Sequence, residues 1–193
     1  MTKYRLTHDH ALGGFDAKAD GAHLTEQTGF AIIAVTMANG GKRGFNSAMK
    51  KIFGTPAPEA NQMVIAGKTR IIASALDQVF VVEKTDPETL EAKLVKGLGK
   101  HATVTNQSDG WVMLEYAGQR VHEGMERISM NDTSIEAFPI GGVMRASIEH
   151  VNGIICREKA KKGEGDRFLF LTQRSSAASF VHGIIDTVPF IED

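Results

Sequence analysis

A few short stretches of the 193-residue chain hold side chains able to act as acids, bases, nucleophiles or metal ligands. Asp109 stands two positions before the only tryptophan, Trp111, in NQSDGWVM. An extended backbone there would set a carboxylate and an indole on one face. No second carboxylate or histidine follows at a spacing that makes an acid–base pair. The plainer reading is a turn at Asp109-Gly110, where glycine tolerates unusual backbone angles, leading into an aromatic strand anchor. The only cysteine, Cys156, sits in the apolar run GIICRE with Arg157 beside it. A reactive thiolate wants an electropositive, partly open setting. In a strand Arg157 points to the opposite face, so Cys156 reads as a small buried thiol.

Other candidates are weaker. His8 and His10 are a two-ligand pair with no fixed third partner, a poor metal site. His122 and His182 fall on helical patterns and read as surface or interface residues. NGGKRGF (39–45) opens a helix and could cradle a phosphate. It lacks both the P-loop and the dinucleotide spacing, so a glycine-rich strand-to-helix turn is the plainer reading. The serines of QRSSAASF lack a G-x-S-x-G elbow, and Ser175 reads as a helix cap. No catalytic, cofactor-binding or metal-binding residue is assigned.

Lysine plus arginine number 22 and aspartate plus glutamate 23, a net charge of -1. That balance argues against nucleic acid or a membrane surface as the main partner. The stretch REKAKKGEGDR (157–167) is mixed in sign and reads as a solvated loop. A lone cysteine excludes a disulfide framework and a cysteine zinc cluster, and favours a reducing, cytoplasmic compartment. The first 20 residues hold no apolar signal core, and no apolar run reaches the roughly 18 residues of a membrane span.

Three segments follow. Residues 1–28 lack a period and read as an N-terminal arm. Residues 29–107 form a first α+β half, with strands at 30–37, 63–67, 70–74, 79–83 and 101–107. Its first helix is marked by Phe45, Ala48, Met49, Ile52 and Phe53 and ended by Gly54. The second, 86–100, takes Asp86 as cap, Pro87 as first residue and Leu90, Leu94, Val95 and Leu98 as buried stripe. Residues 108–193 form a second half. Its strands are 111–116, 143–150, 153–158 and 167–173, and Val121, Met125 and Ile128 mark one helix. A closing helix over 175–188 has Ala178, Val181, Ile185 and Val188 inward. The predicted class is α+β: two ferredoxin-like halves, mainly antiparallel sheets with helices on one side.

Val104–Ser108 before a Trp111 strand, Gly118 at the step into a helix, Ala137–Gly141 (AFPIG) and Arg174–Ala177 (RSSA) occur in a fixed order. In that order and spacing the chain resembles the gamma subunit of heterotetrameric sarcosine oxidase, most closely over residues 102–188. The resemblance implies a fold similar to part of the folate-binding aminomethyltransferases, the glycine-cleavage T proteins. There a strand with Gly-x-x-(Asp)-Asp supplies a catalytic carboxylate. Here Gly153 matches, while Cys156 and Arg157 stand where acids would be, and Glu158 is the only acid nearby. Neither a thiol nor a guanidinium replaces a carboxylate that accepts an amine proton.

The resemblance therefore implies a non-catalytic assembly subunit with alpha, beta and delta partner subunits. It implies no cofactor in this chain. FAD and FMN would lie in beta, NAD and tetrahydrofolate sites in alpha, and zinc in delta. The implied reaction of the complex is oxidative demethylation of sarcosine to glycine, the one-carbon unit passing to tetrahydrofolate. The alternative is a stand-alone folate-binding or aminomethyltransferase-like protein.

Overall fold

A computed structural model describes residues 9–187 except 20 and 149. Strands β1 (Asp16–Ala19), β2 (Ala22–Gln27) and β3 (Ala31–Met37) lead into helix α1 (Lys42–Phe53). Strands β4 (Gln62–Ala66), β5 (Thr69–Ala73) and β6 (Gln78–Glu83), helix α2 (Pro87–Leu98) and strand β7 (Ala102–Asn106) follow. The remainder is β8 (Trp111–Gly118), α3 (Val121–Ile128), β9 (Val143–Ile148), β10 (Val151–Glu158), β11 (Asp166–Gln173) and α4 (Ala177–Thr187).

The strands form two antiparallel sheets, ordered β4-β5-β6-β3-β7 and β1-β2-β8-β11-β10-β9. Within the first, β3-α1-β5-β6-α2-β7 is a ferredoxin-like β-α-β-β-α-β unit, with β4 added as an edge hairpin. The second repeats it as β8-α3-β10-β11-α4, with β9 as the added edge. Its fourth strand comes from elsewhere: β2 pairs with β8 where β7 pairs with β3.

That pairing corrects the reading of residues 1–28 as an arm. Residues 1–8 lie outside the described residues, but 16–27 are two sheet strands. In AHLTEQ only Ala22 and Leu24 are buried. Two apolar residues in alternation are too short a signal to stand out from a polar loop.

Side chains alternate across each strand, so each sheet has two faces to cover. On one sheet Ile33, Val35, Ile71, Ala73, Val79 and Val81 pack under Phe45, Met49, Leu90 and Leu94 of α1 and α2. On the other, Leu114, Tyr116, Phe168 and Phe170 pack under Val121, Met125, Phe180 and Val181 of α3 and α4. The remaining faces meet each other. Ile32, Ala34, Ile72, Phe80 and Val82 pack against Met113, Val143, Ile154, Cys156, Leu169 and Leu171. Each fully buried large aliphatic contributes on the order of 1.5–3 kcal/mol.

The helix ends follow local chemistry. Asp86 accepts from the Thr89 amide at 2.8 Å with Pro87 behind it, and Gly54 ends α1 in the left-handed region at φ 78°. Two helical stripes differ from expectation. Val95 is 53% exposed, because α2 turns only Leu90, Leu94 and Leu98 inward. In α4 the buried face is Ala177, Phe180, Val181 and Ile184, with Ala178 exposed. The helix is preceded by a 3-10 turn, Arg174–Ser176, which rotates its register. Ser175 lies inside that turn, which has no side-chain cap hydrogen bond. Val188 lies outside the described residues.

Gly118 is where the N-terminal strands close on the second half. Its φ is 150°, and a Cβ there would sit 2.1 Å from the Gly21 carbonyl oxygen. Gly118→Ala is expected to shift the urea midpoint downward, backbone strain alone costing about 1–3 kcal/mol. A midpoint unchanged within error would show that the β1–β2 hairpin does not depend on this contact.

Candidate functional site

The stretch GIICRE lies on β10. Alternation sends Ile154, Cys156 and Glu158 toward the opposite sheet, and Ile155 and Arg157 toward the helices. Cys156 is fully buried, and burial, with Glu158 nearby, pushes its thiol far above the ordinary range. It is a packing residue, not a nucleophile.

Arg157 is 4% exposed and has an acceptor for every nitrogen. Its Nη1 donates to the carbonyls of Thr133 and Phe138, each at 3.0 Å. Its Nε and Nη2 donate to the Asp166 carboxylate at 3.2 and 2.5 Å, and its Cζ lies 5.2 Å from the Phe168 ring centre. The backbone of the same residue holds the same loop. The Gly141 amide donates to the Arg157 carbonyl at 2.8 Å, and the Arg157 amide to the Gly142 carbonyl at 3.0 Å. Residues 141–143 also bond to β4, through Met63 N to Gly141 O at 2.7 Å and Val143 N to Asn61 O at 2.9 Å. They thus form a corner that joins the two sheets. Gly142 is required in it: a Cβ would fall 2.8 Å from both the Phe138 ring and the Pro139 carbonyl.

Glu158 is ion-paired with Arg70 of β5 on the opposite sheet, and both side chains are largely buried. Burial alone would lower the Arg70 pKa, but its hydrogen bond to Glu158 and the charges of Glu158 and Glu115 hold it above the ordinary value. Beside this pair, Arg167 Nη1 donates to Glu115 at 2.8 Å, and Nη2 to Glu164 at 2.7 Å. A charged cluster therefore closes one end of the layer between the sheets. This corrects the reading of 157–167 as one solvated loop: Arg157, Glu158 and Arg167 are each under 10% exposed, because they are strand residues. Chemically, Glu158 is a carboxylate committed to a guanidinium, not a free base.

Trp111 closes the other end. Its ring packs edge-on against Phe80, centroids 5.3 Å apart at 66°. The preceding segment is a turn, Gly110 N to Gln107 O at 2.9 Å, so Asp109 and Trp111 do not share an extended face. Gly110 does not take a positive φ; its reason for being glycine is not the one expected. The side chain that matters in the turn is Ser108, which ends the Val104–Ser108 stretch but carries no local signal of this role. Its buried hydroxyl accepts from the Ile32 amide at 3.0 Å, tying the turn to β3. Ser108, Trp111 and Arg174 meet around a cavity of ≈ 30 Å³, room for about one or two waters. Trp111 also borders an open cleft of ≈ 440 Å³ with Arg145, Asn152 and Gln173.

The remaining candidates stay apart. His8 lies outside the described residues. His10 is in the segment before β1, whose amides at Leu12, Gly14 and Phe15 donate to Glu26. His122 is on α3, 3.2 Å from Glu126, and His182 is exposed on α4. Of residues 39–45, the first three form the turn and Lys42–Phe45 begin α1, which Gly41 caps without a side-chain bond. Among the described residues no three His, Cys, Asp or Glu side chains gather as a metal site, and no helix is long and apolar enough to cross a membrane.

The family model of the sarcosine oxidase gamma subunit family matches residues 38–187, well over half of the chain. The chain belongs to this family. The match reaches back through the first half, beyond the segments that carried the resemblance in sequence. A solved structure titled heterotetrameric sarcosine oxidase from Corynebacterium sp. U-96 in complex with pyrrole 2-carboxylate contains a similar chain. It superposes with TM-score 0.76 at 16% identity, over 89% of this chain and 86% of that one. The glycine cleavage system aminomethyltransferase T from Bartonella henselae superposes with TM-score 0.66 at 14% identity. That match covers 86% of this chain and 45% of the transferase, so the chain spans a little under half its length. At these identities the likeness is one of fold, and it bears out the α+β, aminomethyltransferase-like class. No curated protein matches the sequence at a significant level.

In this gamma-family chain the quoted segments occupy positions that hold the fold. Ser108 ties the halves, Gly118 admits the N-terminal hairpin, and Phe138–Gly141 build the corner held by Arg157.

Glu158→Gln should destabilise the protein by about 3–5 kcal/mol, since it leaves Arg70 buried without its counter-charge. The double change Arg70→Met with Glu158→Leu should recover most of that in urea unfolding. Additive losses would mean the pair is not coupled. A second test uses pH. Glu83 is buried; burial opposes its ionisation, but hydrogen bonds from Thr69 and Lys68 outweigh that and hold its pKa below the ordinary 4.5. Its contribution is complete above that value and is lost as pH falls through the lower folded pKa. The melting temperature of Glu83→Gln should therefore lie beneath wild type at pH 7 and approach it as the pH is lowered past 4.5.

Proposed function

We propose that this chain is the gamma subunit of a heterotetrameric sarcosine oxidase and acts in assembly rather than in chemistry. The complex oxidatively demethylates sarcosine to glycine and passes the one-carbon unit to tetrahydrofolate. Alpha, beta and delta subunits are its partners. FAD and FMN, NAD, tetrahydrofolate and zinc belong to those subunits, and the complex is cytoplasmic.

One observation carries this reading. The β10 positions that would supply acids in a transferase hold groups already committed to the fold. Cys156 is packed between the sheets, Arg157 clasps the corner loop, and Glu158 neutralises Arg70. No carboxylate on that strand is left to accept a proton from a bound amine.

The test is co-expression. The tagged chain, produced with its neighbouring subunits, should elute from a sizing column in a large species that carries flavin absorbance. The chain produced alone should be colourless. Trp111→Ala should reduce the yield of that species while leaving turnover per assembled complex near wild type. A chain that stays colourless and separate beside its neighbours, yet binds tetrahydrofolate in a titration, would replace the assembly role with the folate-binding one. Loss of substrate affinity in an intact Trp111→Ala complex would place this residue at a substrate site.

A further inference from the structure

We propose that the corner loop between α3 and β9 is the face by which this chain docks on a neighbouring subunit. Its occupant would be a segment that presents an apolar side chain flanked by lysine or arginine. This rests on the assembly reading above and adds to it the place and chemistry of contact.

Exposed large hydrophobics concentrate there. Met130 is 98% exposed, Ile135 47% and Ile140 55%. These three lie within eleven consecutive positions, and the other exposed large hydrophobics of the described residues are Ile65, Leu76 and Val95. Scattered apolar residues on a surface need no explanation, but a cluster does. The loop also borders an open cleft of ≈ 600 Å³, lined in part by Asn61, Asn131, Asp132, Phe138, Pro139 and Ile140. A lining that mixes Phe138, Pro139 and Ile140 with amides and a carboxylate has the mixed apolar and polar composition of a protein interface.

The loop is held in shape before any partner arrives. Arg157 fixes the Thr133 and Phe138 carbonyls from below, the Asp132 carboxylate accepts from the Ser134 amide at 2.8 Å, and Gly141 is bonded on both sides. Such rigidity lowers the ordering cost of association. An irregular segment between two elements gains little for its own core by displaying Met130 and Ile140 on so fixed a frame.

Charge selects the occupant. Residues 128–144 carry Asp132 and Glu136 and no lysine or arginine. Asp132 is held below the ordinary aspartate range by its backbone and side-chain hydrogen bonds to Ser134, so it stays charged at neutral pH. A second copy docked through the same patch about a two-fold axis would bring like charges together. A basic and apolar segment of a different chain pairs with the rim and fills the cleft.

The experiment uses the co-expressed complex. Ile135→Asp and Ile140→Asp replace exposed side chains, so the chain alone should keep its melting temperature. Each should lower the fraction of tagged chain that co-elutes with partner subunits by about tenfold or more, as loss of an interface anchor does. Leu76→Asp, which is 91% exposed and lies outside the loop, should co-elute as wild type. The double change Asp132→Lys with Glu136→Lys should weaken co-elution most at low ionic strength. Wild-type levels of co-elution for both isoleucine variants would overturn the docking face and leave the assembly role intact. Failure of the unaltered chain to co-elute would remove both. A concentration-dependent dimer of the isolated chain, abolished by Ile140→Asp, would overturn the proposal by making a second copy the occupant.

Discussion

Two antiparallel sheets, each roofed on one side by a pair of helices, have only each other to cover their remaining faces. Everything else in the molecule answers to that contact. The layer between them is built mainly from aliphatic side chains, with Phe80 and the fully buried Cys156 among them, where a small apolar group fits and an ionised one would not. At its ends the layer meets water, and there the chain changes chemistry. Arg70, Glu158, Arg167 and Glu115 close one end with paired charges, and Trp111 against Phe80 closes the other. A buried ion pair adds little net stability over an apolar pair of similar volume. Its effect here is on register: Arg70 and Glu158 can meet only when β5 and β10 face each other in one alignment.

The two sheets are also joined covalently in an unusual order. The second half begins at β8 but borrows its outer strand from β2, so the chain starts in one half, builds the other and returns. The N-terminal strand β2 is held in the sheet completed last by its hydrogen bonds to β8 and by the burial of Ala22 and Leu24, and the chain closes where two glycines meet. Gly118 and Gly21 approach so closely that no side chain fits between them. The same logic governs Gly142 at the corner, where the loop passes from one sheet edge to the other.

These constraints fix what the groups on β10 do within a fold similar to that of an aminomethyltransferase. The transferase reading needs a carboxylate that can change its protonation. In this chain the neighbouring positions bear a thiol whose ionisation burial suppresses, a guanidinium that is always charged, and a carboxylate already matched to one. Each is tied into the fold by packing, hydrogen bonds or an ion pair, and holds a corner or a register. The strand keeps its geometry while its residues serve the contact between the sheets and the loop above it.

Much of the architecture was legible in the sequence because it is local. Asp86-Pro87 and Gly54 mark helix ends, Val121, Met125 and Ile128 repeat at helical spacing, and the apolar runs at β3, β6 and β11 could be nothing but strands. Such signals depend on neighbours within a turn or two. Where the register depended on contacts from far along the chain, local pattern failed. Val95 and Ala178 satisfy a helical stripe on paper yet face outward, and β2 shows only Ala22 and Leu24 as apolar. Arg157, Glu158 and Arg167 read as a solvated loop because their partners lie on other elements: Arg157 donates to Thr133, Phe138 and Asp166, Glu158 accepts from Arg70, and Arg167 donates to Glu115. Local pattern marks most of the helices and strands, though not β1 and β2. Strand pairing and the burial of charges are set by the folded arrangement, since both depend on partners distant in the chain whose cost or benefit appears only once water has been excluded between them.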